Sequence, residues 1–117
     1  MASTPAPPTQ APMMSDILPD FIDELAALMR EAGAEPLVDQ LANLRIESVC
    51  DCGDENCSSF ATSAVVKVHN AVELPAMEGF LIIDLNAANE ICFIEVLNRP
   101  DIKYLLEEHY PSAPPQS

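Results

Sequence analysis

Two apolar runs near the C-terminus, GFLIIDL (79–85) and EICFIEVL (90–97), constrain this chain more than any other feature. Both are rich in β-branched and aromatic residues, and NAAN between them is a connection of ordinary hairpin length. Side-chain alternation puts Leu81, Ile83 and Leu85 on one face of the first run and Phe80, Ile82 and Asp84 on the other. In the second run Ile91, Phe93, Glu95 and Leu97 alternate with Cys92, Ile94 and Val96. Both faces carry apolar residues, so the expectation is a pair of interior strands covered at least in part on both sides. Inside the two runs Asp84 and Glu95 interrupt otherwise apolar sequence, and in a matching register they would form a carboxylate pair.

The remaining elements follow from period. In PDFIDELAALMREAG (19–33) the residues Phe21, Ile22, Leu25, Leu28, Met29 and Ala32 fall on one helical stripe. Asp20 is placed to cap this helix, and Gly33 to end it. EPLVDQLANL (35–44) reads as a shorter helix with Pro36 at its first position and Leu37, Leu41 and Leu44 inward, completing an N-terminal helical hairpin. RIESVC (45–50) and SFATSAVVKV (59–68) then read as an antiparallel strand pair around a cysteine loop. VHNAVELPAMEG (68–79) fits either a long loop or an edge strand ended by Pro75. RPDIKYLLEE (99–108) closes with a helix that turns Ile102, Leu105 and Leu106 inward. The order predicts an α+β domain: a helical hairpin, an antiparallel sheet of about four strands and a C-terminal helix.

At 117 residues the chain suits one domain, and with only 5% aromatics its core must be aliphatic. Seven of the eleven prolines sit in two uncharged stretches at the ends, so residues 1–15 and 110–117 read as disordered tails flanking a domain at 16–109. Nineteen acidic against five basic residues give a formal net charge of -14, which opposes contact with phosphate backbones and anionic lipid. The expected partner is therefore a basic protein surface, with no direct nucleic-acid or membrane binding; oligomeric state is not legible. Neither a targeting segment nor an apolar run long enough to span a bilayer is visible, and four cysteines without a signal peptide point to a reducing, cytoplasmic setting.

ESVCDCGDENCSSF (47–60) is the chemically richest stretch. If its ends are strands, Cys50 and Cys52 project to one side and Cys57 returns beside them, while Gly53 lets the loop turn. A structural zinc takes four nitrogen or sulfur ligands, so a site here would need Cys50, Cys52, Cys57 and a fourth group. Cys92 is the first candidate, ahead of His69, His109 or a loop carboxylate. The C-x-C-x4-C spacing lacks the paired knuckles of a zinc ribbon, and reduced structural thiols or a short hairpin disulfide explain the same letters. A catalytic thiol is disfavoured by Glu47, Asp51, Asp54 and Glu55 and by the lack of an adjacent base. DCGDEN does not follow the order of a calcium-binding EF-hand loop, and three glycines exclude a phosphate-binding glycine-rich fingerprint. The chain is therefore not read as an enzyme.

CDCGDENCSSF, with a helix before it and GFLIIDLNAANEICFIEVL after it, resembles small bacterial proteins of unknown function that carry a Cys-x-Cys-Gly loop and a C-terminal β-hairpin. The resemblance spans roughly residues 20–97 and implies a compact α+β fold without implying an activity. Asp54 stands where the commoner form of the loop has a further cysteine. The resulting functional expectation is a small acidic, non-catalytic interaction protein, of inhibitor, immunity or adaptor type, that binds a basic protein. The alternative is a zinc- or redox-responsive domain built on Cys50, Cys52 and Cys57; otherwise no cofactor is expected.

Overall fold

The structure, a computed structural model, describes residues 11–50 and 55–109. Its elements are α1 (Met14–Ile17), α2 (Pro19–Glu31), a 3-10 turn (Glu35–Leu37) running into α3 (Val38–Leu41), β1 (Ser48–Val49), β2 (Phe60–Ala61), β3 (Asn70–Leu74), β4 (Phe80–Leu85), β5 (Ile91–Leu97) and α4 (Pro100–His109). The class is α+β, as the sequence predicts, with five strands in the antiparallel order β1-β2-β5-β4-β3.

Helix α2 forms where its stripe predicts, burying Phe21, Leu25, Leu28 and Met29. Its start differs from expectation. Pro19 takes the first turn and no side chain caps the helix, so Asp20 contributes only its charge to the positive end. Its end follows the glycine rule: Gly33 adopts φ +76°, its amide donates to Arg30 O at 3.2 Å, and Ala34 N donates to Met29 O at 2.7 Å. Residues 35–44, expected as one shorter helix completing a helical hairpin, are not a single continuous helix. They make the 3-10 turn, one α turn and then tight bonds from Asn43 N to Gln40 O and Leu44 N to Leu41 O.

Gln40 accounts for where that short piece sits. Its amide oxygen accepts from Ile91 N at 2.8 Å and its nitrogen donates to Asn89 O at 2.9 Å, clipping α3 to the β4–β5 hairpin. The expected N-terminal tail is also partly in the fold. Ile46 N donates to Pro12 O and Met14 N to Leu44 O, both at 2.9 Å, and Met14 is fully buried, so residues 11–15 belong to the domain. Residues 1–10 and 110–117 of the two expected tails lie outside the described residues.

The β4–β5 hairpin forms as expected, and its register sets Leu81 opposite Val96, Ile83 opposite Ile94, and Asp84 opposite Phe93. Its turn is built on Asn86, whose side-chain oxygen accepts from Ala88 N and Glu90 N at 2.9 Å, and on Asn89 at φ 63°. Alternation fails at one place. Leu85 faces Ile91 while Asp84 faces Phe93, so Cys92 is an extra residue in a β-bulge. The bulge brings Ile91 into the core beside Ile94, which the strict two-residue period had put on opposite faces.

Of the two readings of 68–79, the edge strand is the one present: β3 pairs with β4 and Pro75 follows it. The predicted strand 59–68 stops at Ala61. Thr62 N donates to Cys92 O and His69 N to Leu85 O, so residues 63–68 cross the hairpin end unpaired, with Val65, Val66 and Val68 exposed.

One core holds these elements together. Phe60, Leu74, Leu81, Ile83, Leu85, Ile91, Ile94 and Val96 from one sheet face pack with the buried residues of α1, α2, α3 and α4. Each fully buried aliphatic side chain contributes about 1.5–3 kcal/mol from leaving water. Arg99 locks the helices to the end of β5. It is 6% exposed, binds Glu24 through two bonds of 2.7 and 2.8 Å, meets Asp101 at 2.9 Å, and lies 5.6 Å above the Phe21 ring.

Candidate interaction surface

The residues opposite that core fill the second sheet face. Strand pairing places Ser48 beside Ala61, Ala61 beside Phe93, Phe93 beside Asp84, and Asp84 beside Ala71. A neighbouring row holds Glu95, Ile82 and Glu73, and beyond it Leu97 faces Phe80. None of these side chains belongs to the helix-packed core. The expectation that β4 and β5 are covered at least in part on both sides is met unevenly: on the second face Asp84 and Ala61 are buried, and Ile82, Phe93, Glu95 and Leu97 are half-buried. All helical packing lies on one side, and on the other Phe80 remains 55% exposed.

Asp84 and Glu95 lie at opposite corners of a four-residue square, with Phe93 and Ile82 at the other two. Asp84 is only 4% exposed. Burial, then a hydrogen bond to the Glu95 side chain and the charge of that carboxylate, pushes its pKa from 3.8 up to about 7. The carboxylate pair suggested by the sequence is thus assembled by the register, and one of its members keeps its proton near neutrality. None of the ion pairs among the described residues involves Asp84 or Glu95. Arg30, Arg99 and Lys103 have carboxylate partners elsewhere, and Arg45 donates to Ala11 O.

The cysteines are only partly brought together. Cys50 donates its amide to Ser59 O at 2.8 Å, one diagonal step from Cys57, and both are half-buried. Cys57 donates its thiol to Ser59 Oγ at 3.5 Å and faces Leu97 on β5. Cys92 stands five positions back along that strand, about 15 Å at the usual rise per residue, which is too far for one tetrahedral metal to hold both thiols. Its own thiol donates to Asp84 O at 3.5 Å in the bulge. Cys92 is thus a buried thiol set apart from Cys57 along β5. Cys52 and the rest of the loop at 51–54 lie outside the described residues. Among the described residues no three His, Cys, Asp or Glu side chains are grouped to hold a metal ion, so His69 and His109 supply no such cluster.

The sequence did not reveal Gln40 and Arg99 as joining residues, because each acts through partners dozens of positions away. Arg99 had a signal available: a lone cation between a strand and a helix in a strongly acidic chain must find carboxylates if it is buried. Among the described residues no helix is long and apolar enough to cross a membrane. Compared with known proteins, the chain matches no family model, no curated protein and no solved structure.

Proposed function

We propose that this chain is a small acidic, non-catalytic interaction protein whose second sheet face receives a basic protein partner. The observation that carries this reading is the face itself: Phe80, Ile82, Phe93 and Leu97 surround two carboxyl groups and lie outside the helix-packed core. Burying such apolar surface drives association, while the -14 charge steers a cationic partner toward it. A partly exposed sheet face with Glu95 and Glu73 beside Phe80 and Ile82 needs no reaction to be useful, and no nucleophile stands beside a base among the groups described above.

The test is affinity capture at low and high salt, followed by cross-linking of the captured complex. The reading requires a partner with a basic surface, retention that falls as salt screens charge over about 8 Å, and cross-links at Glu73 and Glu95. Capture insensitive to salt, or cross-links confined to α2 and α4, would remove it. A second reading, a redox- or zinc-responsive loop, draws support from the diagonal placement of Cys50 and Cys57 on this same side of the sheet. Zinc analysis with a thiol count on the purified chain decides that reading independently.

A further inference from the structure

We propose that Cys50 and Cys57 are a redox pair, two thiols that a peroxide converts to a disulfide at the β1 margin of the second sheet face. This inference rests on the second reading above: it takes the redox branch, names the two sulfurs and gives the chemistry that joins them.

Register places the pair. Cys50 N donates to Ser59 O at 2.8 Å, which carries the β1–β2 pairing one step past Val49 and Phe60. Ser59 therefore stands directly across from Cys50, and Cys57, two positions before Ser59, projects to the same face. Directly opposite positions of an antiparallel pair have Cβ atoms about 4.5–5.5 Å apart, and diagonal positions have Cα atoms about 7–8 Å apart. The Cys57 side chain makes up much of that difference. Its thiol donates to Ser59 Oγ at 3.5 Å, so the sulfur leans over the residue that faces Cys50. Ser59 is itself held: its hydroxyl accepts from Val96 N at 2.9 Å and donates to Val96 O at 3.4 Å. The remaining approach that a disulfide needs falls on Cys50, which follows the two-residue strand at the end of the sheet.

The surroundings suit an oxidation. Cys50 and Cys57 are thiols and half-buried, so a small oxidant reaches them, whereas Cys92 is fully buried. Lys103 Nζ donates to Cys57 O at 3.4 Å and meets Glu107 at 4.0 Å, which places an ammonium beside this cysteine, the charge that suits a reacting thiolate. The Cys57 thiolate attacks one peroxide oxygen, the O–O bond breaks, and the leaving oxygen takes up the thiol proton as water, giving a sulfenic acid. Cys50 then attacks that sulfur, the S–S bond forms as the S–O bond breaks, and a second water carries off the Cys50 proton. Two electrons pass from the sulfurs to the peroxide, and a dithiol reductant returns them. Cys57 faces Leu97, which faces Phe80, so the crosslink forms at the margin of the docking face.

The experiment treats the reduced full chain with hydrogen peroxide, alkylates the remaining thiols, cleaves after acidic residues and reads the peptides by mass spectrometry without reduction. Cleavage after Asp51 and Glu55 separates Cys50, Cys52 and Cys57. The oxidised chain should lose two of its four thiols, carry a Cys50–Cys57 crosslink, and regain both thiols in dithiothreitol. Cys52→Ser should form the same crosslink at the parent's rate. With Cys50→Ser added to it, Cys57 should remain a sulfenic acid that dimedone traps. A crosslink that joins Cys52 to either neighbour and is lost in Cys52→Ser overturns this pair and leaves a redox-responsive loop standing. Stoichiometric zinc that shields the thiols overturns the pair in favour of the zinc branch. Four thiols untouched by peroxide, with no metal, overturn the pair and the second reading together, and none of these results bears on the docking of a basic partner.

Discussion

Replacing Asp84 by asparagine should stabilise the chain at alkaline pH and leave it almost unchanged in acid. The folded chain keeps the Asp84 proton up to about pH 7, whereas the unfolded chain releases it near 3.8. Between those values the folded state binds more protons, so the contribution of this group to stability falls as pH rises, and the loss is complete above the folded value. At about 1.4 kcal/mol per pH unit the interval corresponds to at most about 4 kcal/mol, and relaxation around the ionised pair reduces it to about 2–4 kcal/mol. Asparagine keeps the size of the protonated acid without its ionisation. The assay is urea unfolding of both proteins from pH 3.5 to 8.5. The two curves should nearly coincide at the acid end and separate by about 2–4 kcal/mol at the alkaline end, with Asp84→Asn the more stable. Because the other carboxylates are common to both proteins, their titration cancels in the difference. An Asp84→Asn chain less stable at pH 8, or a difference that does not change with pH, would refute the reasoning. Glu95→Gln should remove part of the effect only, because burial is the larger cause and remains.

Three further perturbations test the supports of the face. Arg99→Met breaks a buried pair with Glu24 and should lower stability by about 3–5 kcal/mol in denaturant titration. Gly79→Ala puts a methyl group at φ +68° into Leu97 O, and should cost at least about 1 kcal/mol, seen as a lower midpoint at unchanged slope. Ile94→Ala opens a cavity at a fully buried position between β2 and β4 and should cost about 2–5 kcal/mol by the same assay.

The helix α2 and the β4–β5 hairpin were legible because each rests on local rules: a stripe at helical period, and two apolar runs joined by a connection of hairpin length. The bulge at Cys92 was not, because one extra residue leaves composition unchanged and is fixed by how β5 meets β2 and β4 together. The short helix after Pro36 was overextended for a similar reason. Its helical signal was real, but Gln40 is held by the hairpin 50 positions on, which favours a compact double turn at the sheet end. Valines 65, 66 and 68 carried a strand signal with no strand to pair with, since the segment must cross from β2 to β3.

At the candidate site the same division holds. The alternation rule put Asp84 and Phe80 on one face, and the hairpin register then brought Glu95 diagonally across from Asp84. Which face would be covered did not follow from the strands, because both faces are apolar; it is decided by where α1, α2 and α4 turn their stripes. The density of cysteines at 50–57 drew attention to the loop, yet spacing along a chain says little about distance across a sheet, and Cys92 lies at the far end of β5.

The account depends most on the Phe80 end of the second sheet face being exposed in the free chain and closed in the complex. Hydroxyl-radical footprinting of Phe80, Phe93 and Leu97, read by mass spectrometry, measures this directly. The prediction is ready oxidation of Phe80 and Leu97 in the free protein and strong protection of all three when the captured basic partner is bound. Protection already present in the free monomer, or oxidation unchanged in the complex, would contradict it.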